Sequence, residues 1–297
     1  MADPYISVVI VARNDNYGEN FLLRLNTFVR SLDHQVKNYP DLLELVIVEW
    51  NPLPGKLLQD VVVKTQYLPV RIITVPGSVH DTLDAPNPVL EFHGKNTGIR
   101  RARGEYVLTT NPDILLSNEL INEFARRWLR KDHFYRTDRY DYVGTGIENI
   151  NSDALVEFAV ANTFQAHVAH GSADVPAGSE VSTFPASDPT VQYLHTNGAG
   201  DFILASREVF FTARGLWENT QQRWHMDSYS VIRLAATGLK QTIFTNPMCA
   251  FHMHHARADT DAPWDPAQAV KVAPTRGDVN WGLGNIKLEE YTWPIKD

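Results

Sequence analysis

Residues 93–113 read HGKNTGIRRARGEYVLTTNPD, and the reading of this stretch decides the fold. Ile99 and Ala102 give 95–103 a modest apolar side. Arg100, Arg101 and Arg103 put cations at its C-terminal end, where a helix dipole favours them. The spacing predicts a helix over 95–103, stopped at Gly104, where a left-handed residue is expected. Residues 106–110 are short and β-rich, and Pro112 forbids further ladder pairing. Asp113 is therefore expected just beyond the carboxyl end of a strand, the edge at which open α/β sheets place their ligands.

Working outward, residues 6–11 form a continuous β-branched run, as in a strand buried on both faces of a parallel sheet. Asn14-Asp15-Asn16-Tyr17-Gly18 is a turn cluster, after which Phe21, Leu22, Leu25, Phe28, Val29 and Leu32 recur at helical spacing. Buried runs follow at 45–48, closed by Glu49 and the Asn51-Pro52 turn, and at 70–75, closed by Pro76-Gly77. Ser117 reads as an N-cap. Leu120, Ile121, Phe124 and Trp128 then make the apolar face of a helix ending among Arg126, Arg127, Arg130 and Lys131. Residues 142–145 predict a fifth strand. Strands alternating with helices imply right-handed crossover units and a mostly parallel, Rossmann-like central sheet flanked by helices. From 149 to 197 the chain turns Ser-, Ala-, Asn- and Thr-rich with weak periodicity, which suits a variable acceptor side. The tail beyond 256 carries Trp264, Trp281 and Trp293 among Pro and Gly and is expected to wrap the core as loops.

A chain of 297 residues with 43% hydrophobic and 21% charged content has ample length for a buried core. A net charge of −8 argues against nucleic acid as the main partner, while a clustered Arg/Lys site suits a phosphorylated small ligand. The single cysteine, Cys249, permits no internal disulfide and points to a reducing, cytoplasmic setting. The start, MADPYISVVIVARND, reads as a strand rather than a signal peptide. No apolar run approaches the roughly 18 residues that span a bilayer, so any membrane contact would be peripheral.

Neither GxGxxG nor GxxxxGK[ST] follows a predicted strand, which lowers the odds of a dinucleotide enzyme or a P-loop ATPase. A nucleotide can still bind at strand ends if a metal and basic side chains hold its phosphates. Asp113 is the carboxylate a hard divalent cation would need there, with Asn111 placed to hydrogen-bond a ribose; the plain alternative is a turn followed by a flanking Asp. His252 and His255 are candidate metal ligands if a turn brings them to one side, and otherwise belong to a polar loop. His254 points elsewhere in an extended segment, and His167 and His170 are assigned to the surface. Asp201, in Gly200-Asp201-Phe202, either receives sugar hydroxyls or caps a turn. Asp227, after Trp224-His225-Met226, stands near a helix N-terminus that keeps it ionised, as a proton acceptor or as a simple N-cap.

Taken in order, these features resemble a nucleotide-sugar glycosyltransferase of the GT-A fold, close to glycosyltransferase family 2. ISVVIVARND resembles that family's first strand. LVIVEWN stands where the family ends a strand in a base-contacting acid, here Glu49. KNTGIRRARGEYVLTTNPD resembles the run leading into its DXD motif, written NPD here. WHMDSYSVIRLAATGLK resembles its ED motif, with Met226 in place of the first acid, followed by Arg233 and Gly238. HTNGAGDFILASREVF resembles a GDF-containing subgroup with paired C-terminal histidines, matched by His252 and His255.

The resemblance covers roughly residues 5–256. It implies one GT-A domain with a nucleotide-binding half (1–145), an acceptor and catalytic half (146–256) and a wrapping tail (257–297). It implies a donor, with uridine the base expected, held near Ala12, Arg13, Glu49, Asn96, Arg100, Arg101, Asn111 and Asp113. A divalent cation, manganese ahead of magnesium, is expected on Asp113 with His252 and His255. Gly200, Asp201 and His225 fall on the acceptor side. Asp227 is expected to deprotonate a glycan or glycoconjugate hydroxyl that attacks with inversion. A degenerate nucleotide-sugar-binding domain and a metal-dependent hydrolase using the His cluster are the competing readings.

Overall fold

The computed structural model describes residues 3–256 and 263–293. At its centre is Ile6–Ala12 (β1), buried along its whole length. Ile6, Val8 and Ile10 enter one apolar core with Phe21, Leu25, Phe28 and Leu32 of the helix Phe21–Gln35. Val9 enters another core with Val46, Ile99 and Val231. A strand covered on both faces has no reason to alternate, which is why its sequence is one apolar run. Leu43–Trp50 (β2) runs parallel to β1, and Val70–Val75 (β3) runs parallel to β2. Tyr106–Thr109 (β4) lies parallel to β1 on its other side. The connections thus reverse direction between β1 and β4, and a crevice opens beyond their carboxyl ends.

The other strands are Ile114–Leu116 (β5), His133–Thr137 (β6), Arg139–Tyr142 (β7), Thr163–Val168 (β8), Gly171–Asp174 (β9), Ile203–Ser206 (β10), Lys240–Phe244 (β11), Ala250–Met253 (β12) and Glu289–Thr292 (β13). Among the described residues they form an eight-stranded sheet, β11-β6-β10-β4-β1-β2-β3-β13, and a five-stranded sheet, β5-β12-β7-β8-β9. In the larger sheet β10 and β13 run antiparallel to their neighbours. In the smaller one, Tyr140, Tyr142, Phe251 and Met253 pack into a core with Leu155 and Ala159 of the helix Leu155–Ala161. The alternate residues Arg139, Asp141 and His252 therefore face the other way, toward the crevice.

Several local expectations are corrected. The helix predicted over 95–103 spans Glu91–Arg101, and its polar run is buried from Phe92 to Ile99. Gly98 is there for close approach: a Cβ on it would stand 2.4 Å from Val9 Cγ1. Gly104 is not left-handed; the helix stops at Ala102, whose backbone is extended. What Gly104 needs is room, since a Cβ would stand 2.5 Å from the Ser7 nitrogen. The next helix is Asn118–Ala125, capped by Ser117 as expected, and ends before Arg127, which is left-handed. Trp128 therefore leaves the helix face and lies partly exposed against Tyr135 and Phe244. The strand expected at 142–145 is Arg139–Tyr142 instead. The tail is more than loops: it holds the helix Pro266–Val272, and β13 extends the main sheet beside β3. Its residues 257–262 and 294–297 lie outside the described residues. Among the described residues no helix is long and apolar enough to cross a membrane.

Candidate functional site

The crevice holds a cavity of about 740 Å³. Ala12, which ends β1, and Arg13 after it enter its wall, and Asn111, Pro112 and Asp113 enter beyond β4. Asp227 comes from the helix Met226–Ala235, and His252 and His255 from β12 and the residues after it. Gly200, Asp201 and His225 also line it. His225 caps that helix in the left-handed region (φ 61°), a conformation that is uncommon outside glycine.

Asp113, His252 and His255 converge. Their potential ligand atoms lie within 4.8 Å of one another. The Asp113 Oδ2 atom stands 3.1 Å from His255 Nε2 and 3.8 Å from His252 Nε2. The far nitrogens face oxygens: His255 Nδ1 is 2.8 Å from the Ala256 carbonyl, and His252 Nδ1 is 3.3 Å from Asp141 Oδ1. Both Nε2 atoms thus point toward the Asp113 carboxylate, and a cation among the three would meet one oxygen and two ring nitrogens. The donor set therefore fits a divalent cation, with one carboxylate, two imidazoles and an open side on the cavity.

The electrostatics of this cluster follow from burial opposed by partners. Burial alone would raise the Asp113 carboxyl; His252, His255 and Arg24, whose Nε is 3.7 Å away, outweigh it and hold the group at about 2. Burial would lower His252, but Asp113 and Asp141 raise it. Asp141 is held well below the carboxylate range, because His167, His252 and Arg139 overcome its desolvation.

A second network joins the loop after β4 to the segment before β10. The Lys95 ammonium, buried in the helix Glu91–Arg101, donates to Asn111 Oδ1 (2.9 Å), the Gly200 carbonyl (2.8 Å) and Glu91 Oε1 (2.6 Å). Asn111 Nδ2 donates to Asp201 Oδ1 at 2.8 Å, and Arg139 Nη1 pairs with Asp201 Oδ2 at 2.7 Å. The Gly200 amide donates to Asp227 Oδ2, and the Ser228 amide to Asp227 Oδ1, both at 2.8 Å. Both ends of the Asn111 amide are thus spent within the protein, which makes it a strut. Asp201 is likewise buried and paired.

Four residues expected at the donor stand away from the cavity. Glu49 is buried and accepts from the Leu58 amide at 2.7 Å, capping a turn beyond β2. Asn96 accepts from the Leu216 amide and donates to the Leu216 carbonyl and Glu218. Arg101 donates to the carbonyls of Gly282, Leu283 and Ile286, and Arg100 to that of Trp281. The helix that carries these three lies between the sheet and the tail, so their side chains hold the tail. His167, assigned to the surface, instead pairs with Asp141 at 3.2 Å and lines the cavity; His170 is exposed, as is His254, packed edge-on against Phe164.

The sequence reading missed Lys95, Arg139, Asp141, Arg24 and Arg223, the last of these also on the cavity wall. Two signals were available. In Arg139-Tyr140-Asp141-Tyr142 charges alternate with aromatics at strand period. Arg24 interrupts the apolar stripe of Phe21, Leu25 and Phe28; its guanidinium holds the carbonyls of Tyr17, Gly18 and Glu19 beneath the cavity.

The sequence matches no protein-family model and no curated protein. Solved structures share its fold. Staphylococcus aureus TarS 1–349 matches with a TM-score of 0.53 at 14% identity, covering 84% of this chain and 60% of that one. The same protein in complex with UDP-GlcNAc matches with a TM-score of 0.53 at 12% identity, covering 90% of this chain and 64% of that one. The catalytic domain of Drosophila β1,4-galactosyltransferase 7, in complex with xylobiose, matches at 14% identity with a TM-score of 0.46, covering 95% and 84%. The chain spans less than two thirds of the TarS chains it matches. The likeness to TarS supports a mixed α/β domain with the GT-A fold.

Proposed function

We propose that this chain is a metal-dependent glycosyltransferase that moves a sugar from a nucleoside-diphosphate sugar, with uridine as the base, to a hydroxyl acceptor with inversion. One observation carries the reading: Asp113, His252 and His255 meet at the carboxyl edge of the sheet, on the cavity that Asp227 also lines. The UDP-GlcNAc complex of TarS, which shares the fold, supports the choice of donor class.

In this reading Asp113, His252 and His255 hold a divalent cation, Mn²⁺ ahead of Mg²⁺ because two imidazoles bind it. Such a cation would supply positive charge to offset that developing on the departing diphosphate. Arg13 and Arg223 face the same cavity and take the role first given to Arg100 and Arg101. Asp227, kept in place by the Gly200 amide, accepts the proton of the acceptor hydroxyl. That oxygen forms a bond to the anomeric carbon as the bond to diphosphate breaks. A smaller cavity of about 310 Å³ shares Gln222, Arg223, Trp224 and His225 with the first and gives the acceptor an approach.

A thermal-shift panel of UDP, GDP, CDP and UDP-sugars, with and without Mn²⁺, tests the reading. A UDP-sugar at a hundredfold excess over its Kd should stabilise the fold by about 2.7 kcal/mol, with Mn²⁺ only, and not in Asp113→Ala. No nucleotide stabilising the protein under any condition would overturn it. Donor binding without transfer or hydrolysis would favour a binding domain; tight metal binding indifferent to nucleotide would favour a hydrolase.

A further inference from the structure

We propose that Asp141 is a positioning residue that decides which nitrogen of His252 carries the proton, and so makes His252 a ligand. The inference rests on the cation site proposed above. Its geometric basis is a register: β7 and β12 run parallel with Asp141 beside His252, so the two side chains leave the sheet on one face. Both are buried, at 4% and 7% exposure, so the protein, and not solvent, chooses which groups face the two ring nitrogens.

The ring lies between two carboxylates, with Nδ1 3.3 Å from Asp141 Oδ1 and Nε2 3.8 Å from Asp113 Oδ2. A neutral imidazole has one N–H and one lone pair, and an ionised carboxylate can only accept. Asp141 is kept ionised and in place by Arg139, whose Nε is 2.9 Å from Oδ1, and by His167, whose Nε2 is 3.2 Å from Oδ2. Asp113 has two imidazoles and the cavity on its side. When a cation occupies the Asp113 side, the proton stays on Nδ1 and the Nε2 lone pair faces the ion. A carboxylate behind a metal-bound imidazole fixes ring orientation and raises its basicity, and losing one typically costs about 10–100-fold in metal affinity.

Asp141→Asn tests this, because an amide presents a donor as well as an acceptor and no longer dictates Nδ1–H. The metal-free protein is titrated with Mn²⁺ alone, following loss of the free-ion electron paramagnetic resonance signal. The expected result is affinity weakened about 10–100-fold in Asp141→Asn. His167→Gln removes one of the two partners that hold this carboxylate and leaves Arg139, so it should weaken binding less than Asp141→Asn does. Nitrogen-15 shifts of His252 in a diamagnetic Mg²⁺ complex should report Nδ1–H in the wild type and lose that signature in Asp141→Asn.

Wild-type affinity in Asp141→Asn, or weakened affinity with the Nδ1–H signature of His252 intact, overturns the inference and leaves the cation site standing. Mn²⁺ binding that Asp113→Ala does not weaken overturns the cation site itself, and the role of Asp141 with it.

Discussion

Lys95→Met should destabilise the protein by about 2–4 kcal/mol and loosen the candidate base. The ammonium is almost wholly buried and holds three acceptors, Glu91 Oε1, Asn111 Oδ1 and the Gly200 carbonyl. Glu91 is half exposed and rehydrates when its partner leaves. The other two acceptors keep their packing and lose a charged donor, at about 1–3 kcal/mol each. The desolvation cost of the ammonium disappears in the variant and offsets part of that sum, leaving about 2–4 kcal/mol. For a chain of this size that is a fall in Tm of about 3–6 °C. Urea unfolding followed by circular dichroism, at matched slope, measures it directly. Because the Gly200 amide holds Asp227, transfer should fall further than donor binding. A variant within about 0.5 kcal/mol of wild type would refute the account of Lys95 as the strut between the two loops.

Asp227→Asn should fold normally, keep its donor-induced thermal shift and lose about 10²–10⁴-fold in turnover; wild-type turnover removes the residue from the mechanism. Arg101→Met should lose about 2–4 kcal/mol as three tail carbonyls lose their donor, yet shift with donor as wild type does; weakened donor binding at full stability would return it to the phosphate site. His93, which burial pushes down to about 4 from 6.5, is neutral in the fold and protonates more readily when unfolded. Its contribution is therefore intact above pH 6.5 and is lost as the pH falls toward 4, by about 3 kcal/mol in all. His93→Gln should flatten that part of the stability–pH curve, and an unchanged slope would show the loss comes from elsewhere.

The parallel core of the fold was legible because its signals are local. An apolar run such as 6–11 says by itself that both faces are covered, and the helix after it shows its stripe. Ser117 announces a cap with its own hydroxyl. Two of the local failures share a cause: polar residues do not announce partners that lie elsewhere in the chain. HGKNTG is polar because its glycines let the helix sit on Val11 and Val9 and because Lys95 and Asn96 have partners elsewhere in the chain. RYDY, of which only Tyr142 fell within the expected fifth strand, carries charges at alternate positions. On a strand, that is the pattern of one face toward an aromatic core and the other toward buried ions.

The site divides along the same line. Asp113 and the histidines could be nominated singly from residue type and from their places at strand ends. Their meeting depends on β5 and β12 pairing antiparallel, with His252 beside Ile114. Arg100 and Arg101 show the converse. A cation next to a phosphate-site motif is a reasonable candidate, but a helix has several faces, and theirs meets the carbonyls of the returning tail. Those carbonyls come from residues some 180 positions later, so no window around the motif could reveal the competition. Asp141 is the extreme case. The alternation of RYDY marks a strand with a charged face, but the significance of Asp141 lies in which residue of β12 stands beside it. A slip of one position between β7 and β12 would put Phe251 there instead, and His252 would lose the carboxylate behind its ring. The register of two short strands is thus the physical variable on which the chemistry of this site depends.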